Sequence, residues 1–384
     1  MRKATALDHR HANREQQVRL SSLIKQEAFL LIALGTAIAG YFVEHALVEG
    51  GRTIALLSAV VFIAVIVLAS TRVAHHAEVL AHKVGDPYGT MILTLSAVAV
   101  EVLILAIMMG STSSPTLVRD TIYSAVMLDI NGILGLAALL GGFKHGEQPY
   151  NDDSSRTYSV MILTAMGISM IVPEFVPREM WHYYSAYTIA AMIALYGVFL
   201  KMQVGPHSYF FSYTYPRAKA PGAQPPAEQE AEQDSAKLSI GIILVGVLII
   251  GFLAEFMSAF LNAGLEGTSA PPALMAVVVA AISAAPEILT AMRAALRNRM
   301  QSVVNIAMGA SLSTVILTVP VMEGIALYTG QPFIMAMSPV QTVMVVITLI
   351  AAAINLNDGQ TNAIEGMTHF VLFATFVMLT AIGL

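Results

Sequence analysis

The sequence predicts an all-α polytopic membrane protein of eleven transmembrane helices: one leading helix and two inverted five-helix repeats. Three observations carry this. The chain of 384 residues is 56% hydrophobic and only 12% charged, whereas soluble domains hold about 25% charged residues. Its apolar runs recur at the length of about 20 residues that a bilayer core of about 30 Å requires. Two acidic residues stand in the middle of such runs, at matching places in the two halves. Glu101 lies in MILTLSAVAVEVLILAIMM and Glu287 in ALMAVVVAAISAAPEILTAM.

The apolar runs fall near 28–48, 54–82, 88–110, 121–142, 157–177, 184–212, 237–263, 272–295, 301–327, 338–355 and 363–383. The first follows 27 basic and polar residues without an early apolar core, so it is expected to serve as the insertion signal. The second and sixth are long enough to tilt or project beyond the membrane. The third and eighth carry the two glutamates, and the eighth also holds Pro286, which cannot donate a helical hydrogen bond. That proline is expected to loosen the helix just before Glu287 and free the carbonyls of Ser283 and Ala284. The fourth and ninth contain the small and polar stretches SAVMLDINGILG and GASLSTVILTVP. His369, in the last run, reads as a packed or hydrogen-bonded residue.

Lys and Arg set the orientation. Seventeen of them lie in the amino-terminal segment and alternate loops, against Arg52, Arg119 and Arg178 on the other side. The amino terminus is therefore expected in the cytoplasm and the carboxyl terminus outside. The expected organisation is an amino-terminal segment with the leading span (1–50), a first five-span repeat (51–215), a linker (216–236) and a second repeat (237–384). The linker is rich in Pro, Ala, Glu and Gln and reads as a flexible, solvated cytoplasmic hinge. Its acidic residues Glu228, Glu230, Glu232 and Asp234 could also attract cations.

An odd number of spans per half inserts the halves with opposite orientation. The repeat is visible in the residues. AHHAEVLAHKVGDPYG leads into SAVAVE, and FLAEFMSAFLNAG leads into SAAPE, so Glu78 and Glu255 stand upstream of Glu101 and Glu287. In the spans that follow, a shift of 182 positions sets Asp129 opposite Ser311 and Asn131 opposite Ser313. A carboxylate at mid-bilayer costs roughly 2.5–3.5 kcal/mol on insertion scales. Two of them on the seam of a repeat suggest a cation site and a secondary transporter.

These motifs resemble the cation/Ca2+ exchanger superfamily, specifically the Ca2+/H+ (CAX) branch and its bacterial ChaA-type antiporters. The most specific stretches are AAPEILTAMRAALRNRMQSVVNIAMGASLSTVILTVP and AE…VGDPYGTMILTLSAVAVE. Where that branch carries Gly-Asn before each repeat glutamate, this chain reads Ala97 to Val100 and Ala284 to Pro286. The resemblance implies the exchanger fold, a multi-pass protein of the bacterial inner membrane, and exchange of cytoplasmic Ca2+ for H+. Na+ or K+ in exchange for H+ is the alternative.

Ca2+ takes six to eight oxygens. The expected cation ligands are Glu101 and Glu287, with Asp129, Asn131, Ser311, Ser313 and Ser283 behind them; Glu78 and Glu255 are the candidates for the proton path. Apolar surroundings disfavour a bare carboxylate, and a bound divalent ion favours one, so Ca2+ and protons compete for the same oxygens. The chain has no cysteine, which excludes thiolate metal sites and thiol nucleophiles, and no phosphate-binding GxxxxGK[ST] motif for ATP-driven pumping. An intramembrane aspartyl protease would want two intramembrane Asp residues, and only Asp129 is offered. His75, His76 and His82 read as interfacial rather than as a metal site. No enzyme activity, resident cofactor or nucleic-acid partner is expected. The partners are Ca2+, H+ and the lipid bilayer, with a homo-oligomer left open.

Overall fold

A computed structural model describes residues 26–84, 88–111, 114–213, 236–268, 271, 273–331 and 333–384. The basic amino-terminal segment and the acidic linker lie outside the described residues. Among the described residues, eleven membrane-length or shorter apolar helices follow one another. They are α1 (Ala28–Glu49), α2 (Arg52–Val84), α3 (Tyr88–Ser111), α4 (Leu117–His145), α5 (Asp152–Phe175) and α6 (Trp181–Val204). After the linker come α7 (Ala236–Leu265), α8 (Ala273–Leu296), α9 (Met300–Thr329), α10 (Pro339–Asn355) and α11 (Ala363–Ala381).

The expected spans hold in number and order, and differ at their ends for local reasons. The fifth begins at Asp152, earlier than expected, because the Asn151 side chain caps it by accepting from the Asp153 backbone N–H. The sixth stops at Val204 instead of running to 212. Gly205 precedes Pro206 and adopts an extended conformation there, since a proline disfavours the α region for the residue before it. One 3-10 turn, Ser208–Phe211, follows.

α2 and α7 form the most extensive helix pair, with α1 against both. Phe62 meets Phe256 and Phe260 edge-on, with ring centroids 5.8 and 5.1 Å apart, a favoured aromatic geometry. α4 is the most enclosed helix and packs closely on α11. A Cβ at Gly366 would collide with the Leu139 backbone, and one at Gly142 with Ala363. These small residues let the two backbones approach. The outer faces carry Phe42, Leu57, Val160, Ile193, Phe252 and Ile354, all exposed, as a lipid-facing surface requires.

The helix ends sort into two rims. At one rim the α4–α5, α8–α9 and α10–α11 loops meet the residues that follow α6. Lys144 and His145 reach the Leu296 carbonyl, Arg156 reaches Asn357, and Asn151 donates to the Tyr209 and Ser212 carbonyls. A two-residue ladder, β1 (Gln148–Pro149) with β2 (Gln360–Thr361), is antiparallel with Gln148 opposite Thr361. At the other rim Arg52 donates to the Glu266 carbonyl, Arg119 to the Ala336 carbonyl and Ile334 N–H to the Pro115 carbonyl. The first rim holds the loops with the Lys and Arg excess.

Candidate cation site

Three of these helices are irregular. α4 contains a π-turn at Leu128–Leu134, α5 one at Gly167–Ile171 and α9 one at Thr314–Thr318. In α9 the cause is legible: Pro320 lacks an N–H and its ring crowds the carbonyl four residues earlier, Ile316, so a wider turn absorbs the conflict. Asp129 lies inside the first of these turns. α8, by contrast, stays helical through Pro286. The expected loosening before Glu287 is therefore absent, and Ser283 Oγ returns to the Val279 carbonyl at 3.2 Å. The proline withdraws a donor from the carbonyl of Ile282, four residues back, and not from Ser283 or Ala284.

Glu101 is buried on α3, and both hydroxyls that meet it come from the α9 π-turn. Thr314 donates to Oε2 at 2.9 Å and Thr318 at 3.4 Å. Its Oε1 is buried without a hydrogen-bond partner. A buried carboxylate oxygen left bare is costly unless a proton or a cation meets it. Asp129, also buried, accepts from Ser311 Oγ at 3.2 Å. Those two residues are the pair that the repeat shift of the sequence aligns.

Glu101, Glu287, Asp129, Ser283 and Ser313 line one cavity of about 30 Å³, together with Thr314 and a wall of alanines. That is room for one or two water-sized particles. Glu287, Ser283 and Ser313 also line a second, wider cavity of about 720 Å³. This vestibule passes Glu78, Tyr196 and Phe199 and ends at Tyr209, Ser302 and Asn305, on the basic rim. The large cavity thus opens on one side only of the small one. Among the described residues no three acidic or histidine side chains converge to ligating distance of one point in this conformation.

The remaining expected residues separate. Glu78 lines the vestibule, whereas Glu255 is exposed on α7 and lines neither cavity. Asn131 does not face the cavity, contrary to the expectation for it. Its amide donates to Thr348 Oγ1 at 2.8 Å, and its Oδ1 meets His369 Nδ1 at 2.9 Å. The repeat alignment paired it with Ser313, but the π-turn around it re-aims the helix face, and two polar side chains of α10 and α11 satisfy it instead. His76, expected to be interfacial, joins Arg72 and Glu27 at the basic rim, with Ser239 of α7 beside it. Burial works against an ionised Glu27, but Arg72 and His76 outweigh it and hold its carboxyl below the usual range. Sequence reasoning missed Thr314 and Thr318, although hydroxyls four apart in STVILT could have marked one face toward Glu101.

Because Asn131 binds Thr348 and His369, Asn131→Ala is expected to cost stability rather than transport. Stranding buried polar partners costs about 1–3 kcal/mol, readable as a lower unfolding temperature in detergent. A stably folded Asn131→Ala protein with no exchange would return this residue to the cation site.

The description "sodium/calcium exchanger protein" fits residues 54–205 and 238–381 of the chain as one protein family. A sodium-potassium/proton antiporter, ChaA, of Escherichia coli is 33% identical over 339 residues, 85% of this chain and 90% of ChaA. A putative ionic transporter, y4hA, of Sinorhizobium fredii is 30% identical over 361 residues, 92% and 96% of the two chains. The solved structure of native YfkE has a TM-score of 0.68 at 17% identity, covering 88% of this chain and 99% of that one. At that identity the likeness is one of fold.

Proposed function

The chain belongs to the sodium/calcium exchanger protein family, and from that premise we propose that it is a proton-coupled antiporter exporting cytoplasmic Ca2+ in exchange for H+. One observation carries the reading. Glu101 and Glu287, from corresponding helices of the two halves, line one small cavity at the head of a one-sided vestibule. A pathway open to one side at a time is what alternating access requires. In this reading the basic rim is cytoplasmic, in a bacterial inner membrane, and the vestibule is the inward-facing state. Spans 51–215 and 237–384 act as the two inverted halves.

Glu101 and Glu287 supply the anionic oxygens, and Asp129, Ser283, Ser311 and Ser313 hold the ion or its waters. Glu101 and Glu287 neutralise one Ca2+ or carry two protons, so with Asp129 keeping its proton throughout neither loaded state leaves net charge at mid-membrane. Glu78 stands on the inward route for protons. Glu255, exposed on α7, is assigned the corresponding place on the outward route.

Na+ or K+ exchange is the second reading, favoured by the 33% identity to a sodium-potassium/proton antiporter. Everted vesicles with an imposed pH gradient decide between them. Ca2+ should dissipate the gradient at lower concentration than Na+ or K+. Equal potency of Na+ and Ca2+ would replace the leading reading with the second.

The one-sidedness has its own test. The chain has no cysteine, so a single Glu78→Cys or Glu255→Cys substitution reports access without background. Glu78→Cys is expected to react with a membrane-impermeant thiol reagent from the cytoplasmic face and Glu255→Cys from the opposite face. Labelling of both from the same face would end the alternating-access assignment.

A further inference from the structure

One buried carboxylate has no part in the site just described. Glu323 lies on α9, five residues beyond Thr318 and therefore about 7.5 Å farther along the helix axis, away from the vestibule. It is only 2% exposed. Its Oε1 accepts from Ser185 Oγ of α6 at a long 3.4 Å, and its Oε2 is buried without a partner. It forms no ion pair among the described residues.

A carboxylate kept this deep for structure would be expected to hold a cation or several donors. Glu323 has one weak hydroxyl. The elements packed on this part of α9 are α6 and α3. From α6 the facing groups are Ser185 and Tyr184, and the Tyr184 hydroxyl is already committed to the Ile168 carbonyl at 2.7 Å. On the half of α3 from Glu101 to Ser111 the titratable side chain is Glu101. Glu101 in turn meets Thr318, and Glu323 follows five residues farther along α9, about 140° round the helix, where it meets Ser185; the two pairs succeed each other outward along the axis, and water has to bridge them.

We propose that Glu323 is the outer proton-loading site of the exchanger, taking protons from the side opposite the vestibule and delivering them to Glu101. The proposal rests on the antiport reading above. A proton from the outer medium joins the Glu323 carboxylate, forming its O–H bond. As the cation leaves Glu101, that O–H bond breaks and a new one forms on Glu101. Water, admitted when the outer half opens, and the Thr318 hydroxyl pass the proton along. Each hydroxyl or water accepts one proton and releases one, so only Glu323 and Glu101 change charge.

The test separates proton-coupled from proton-independent turnover in proteoliposomes. Wild type, Glu323→Gln and Glu323→Asp are assayed for Ca2+ flux driven by a pH gradient, and for isotope exchange of Ca2+ against Ca2+ at equal pH. The expected result for Glu323→Gln is a loss of at least about 10-fold in proton-driven flux, with isotope exchange unchanged and Glu323→Asp partly restored. Wild-type proton-driven flux in Glu323→Gln would overturn the proposal. So would an equal loss of both modes in Glu323→Gln, which assigns the residue to structure. If wild type itself exchanges isotope but ignores the pH gradient, the antiport reading fails instead.

Discussion

Replacing either mid-membrane glutamate by glutamine, Glu101→Gln or Glu287→Gln, is expected to lower exchange by at least about 100-fold while the protein still inserts and folds. Glutamine keeps the shape and one carbonyl oxygen. At Glu101 that oxygen can still accept from Thr314 and Thr318, which hold Oε2 at 2.9 and 3.4 Å. What disappears is the second, bare oxygen and the ability to bind and release a proton. The site then has one negative charge for a divalent ion and one proton-carrying group in place of two. Gradient dissipation in everted vesicles reads the loss, and size-exclusion chromatography in detergent reads the fold. An exchange rate equal to wild type in either variant would remove the pair from the mechanism.

The second large effect is on pH dependence. If a cation and protons compete for Glu101 and Glu287, binding one Ca2+ to the protonated site releases up to two protons. Apparent Ca2+ affinity should then fall as pH is lowered, by up to about 100-fold per pH unit where both carboxyls are protonated beforehand. A monovalent ion that displaces one proton should show about 10-fold per unit. Calorimetry in buffers of different ionisation enthalpy counts the protons directly. The slope therefore reports the class of ion as well as the coupling. Binding that is flat with pH would refute competition at this site.

The two glutamates were legible in the sequence because a carboxylate inside a long apolar run is conspicuous, and the repeat supplied a partner. The count and order of the helices were legible for the same reason: bilayer thickness imposes a length that hydropathy displays. What the sequence concealed was register. A π-turn adds one residue to a turn without disturbing hydropathy, so the turns in α4 and α9 left no mark on the apolar pattern. Asp129 and Ser311 met as the linear shift implied, yet Asn131, two residues on, turned to Thr348 and His369. Pro286 and Pro320 show the same limit. The first looked disruptive and sits in a continuous helix, while the second follows a widened turn. Glu323, near the end of its span, drew no notice in the sequence; the packing of α6 over it reveals the burial.

The bonds at the basic rim have a mechanical consequence. The loop hydrogen bonds and the β1–β2 ladder tie α4, α5, α8, α9, α10 and α11 to the chain beyond α6. Glu27, Arg72, His76 and Ser239 form a separate set that ties α1, α2 and α7 together. The rim bonds thus form two separate sets, a laced chassis and a trio of helices, with α3 packed on α2 and α7 of the trio. Motion that trades one opening for the other should run along the joint between these two parts, leaving the lacing intact. A cross-link between positions 148 and 361, within the chassis, should then be silent, whereas one that bolts α2 to α8 should jam the machine.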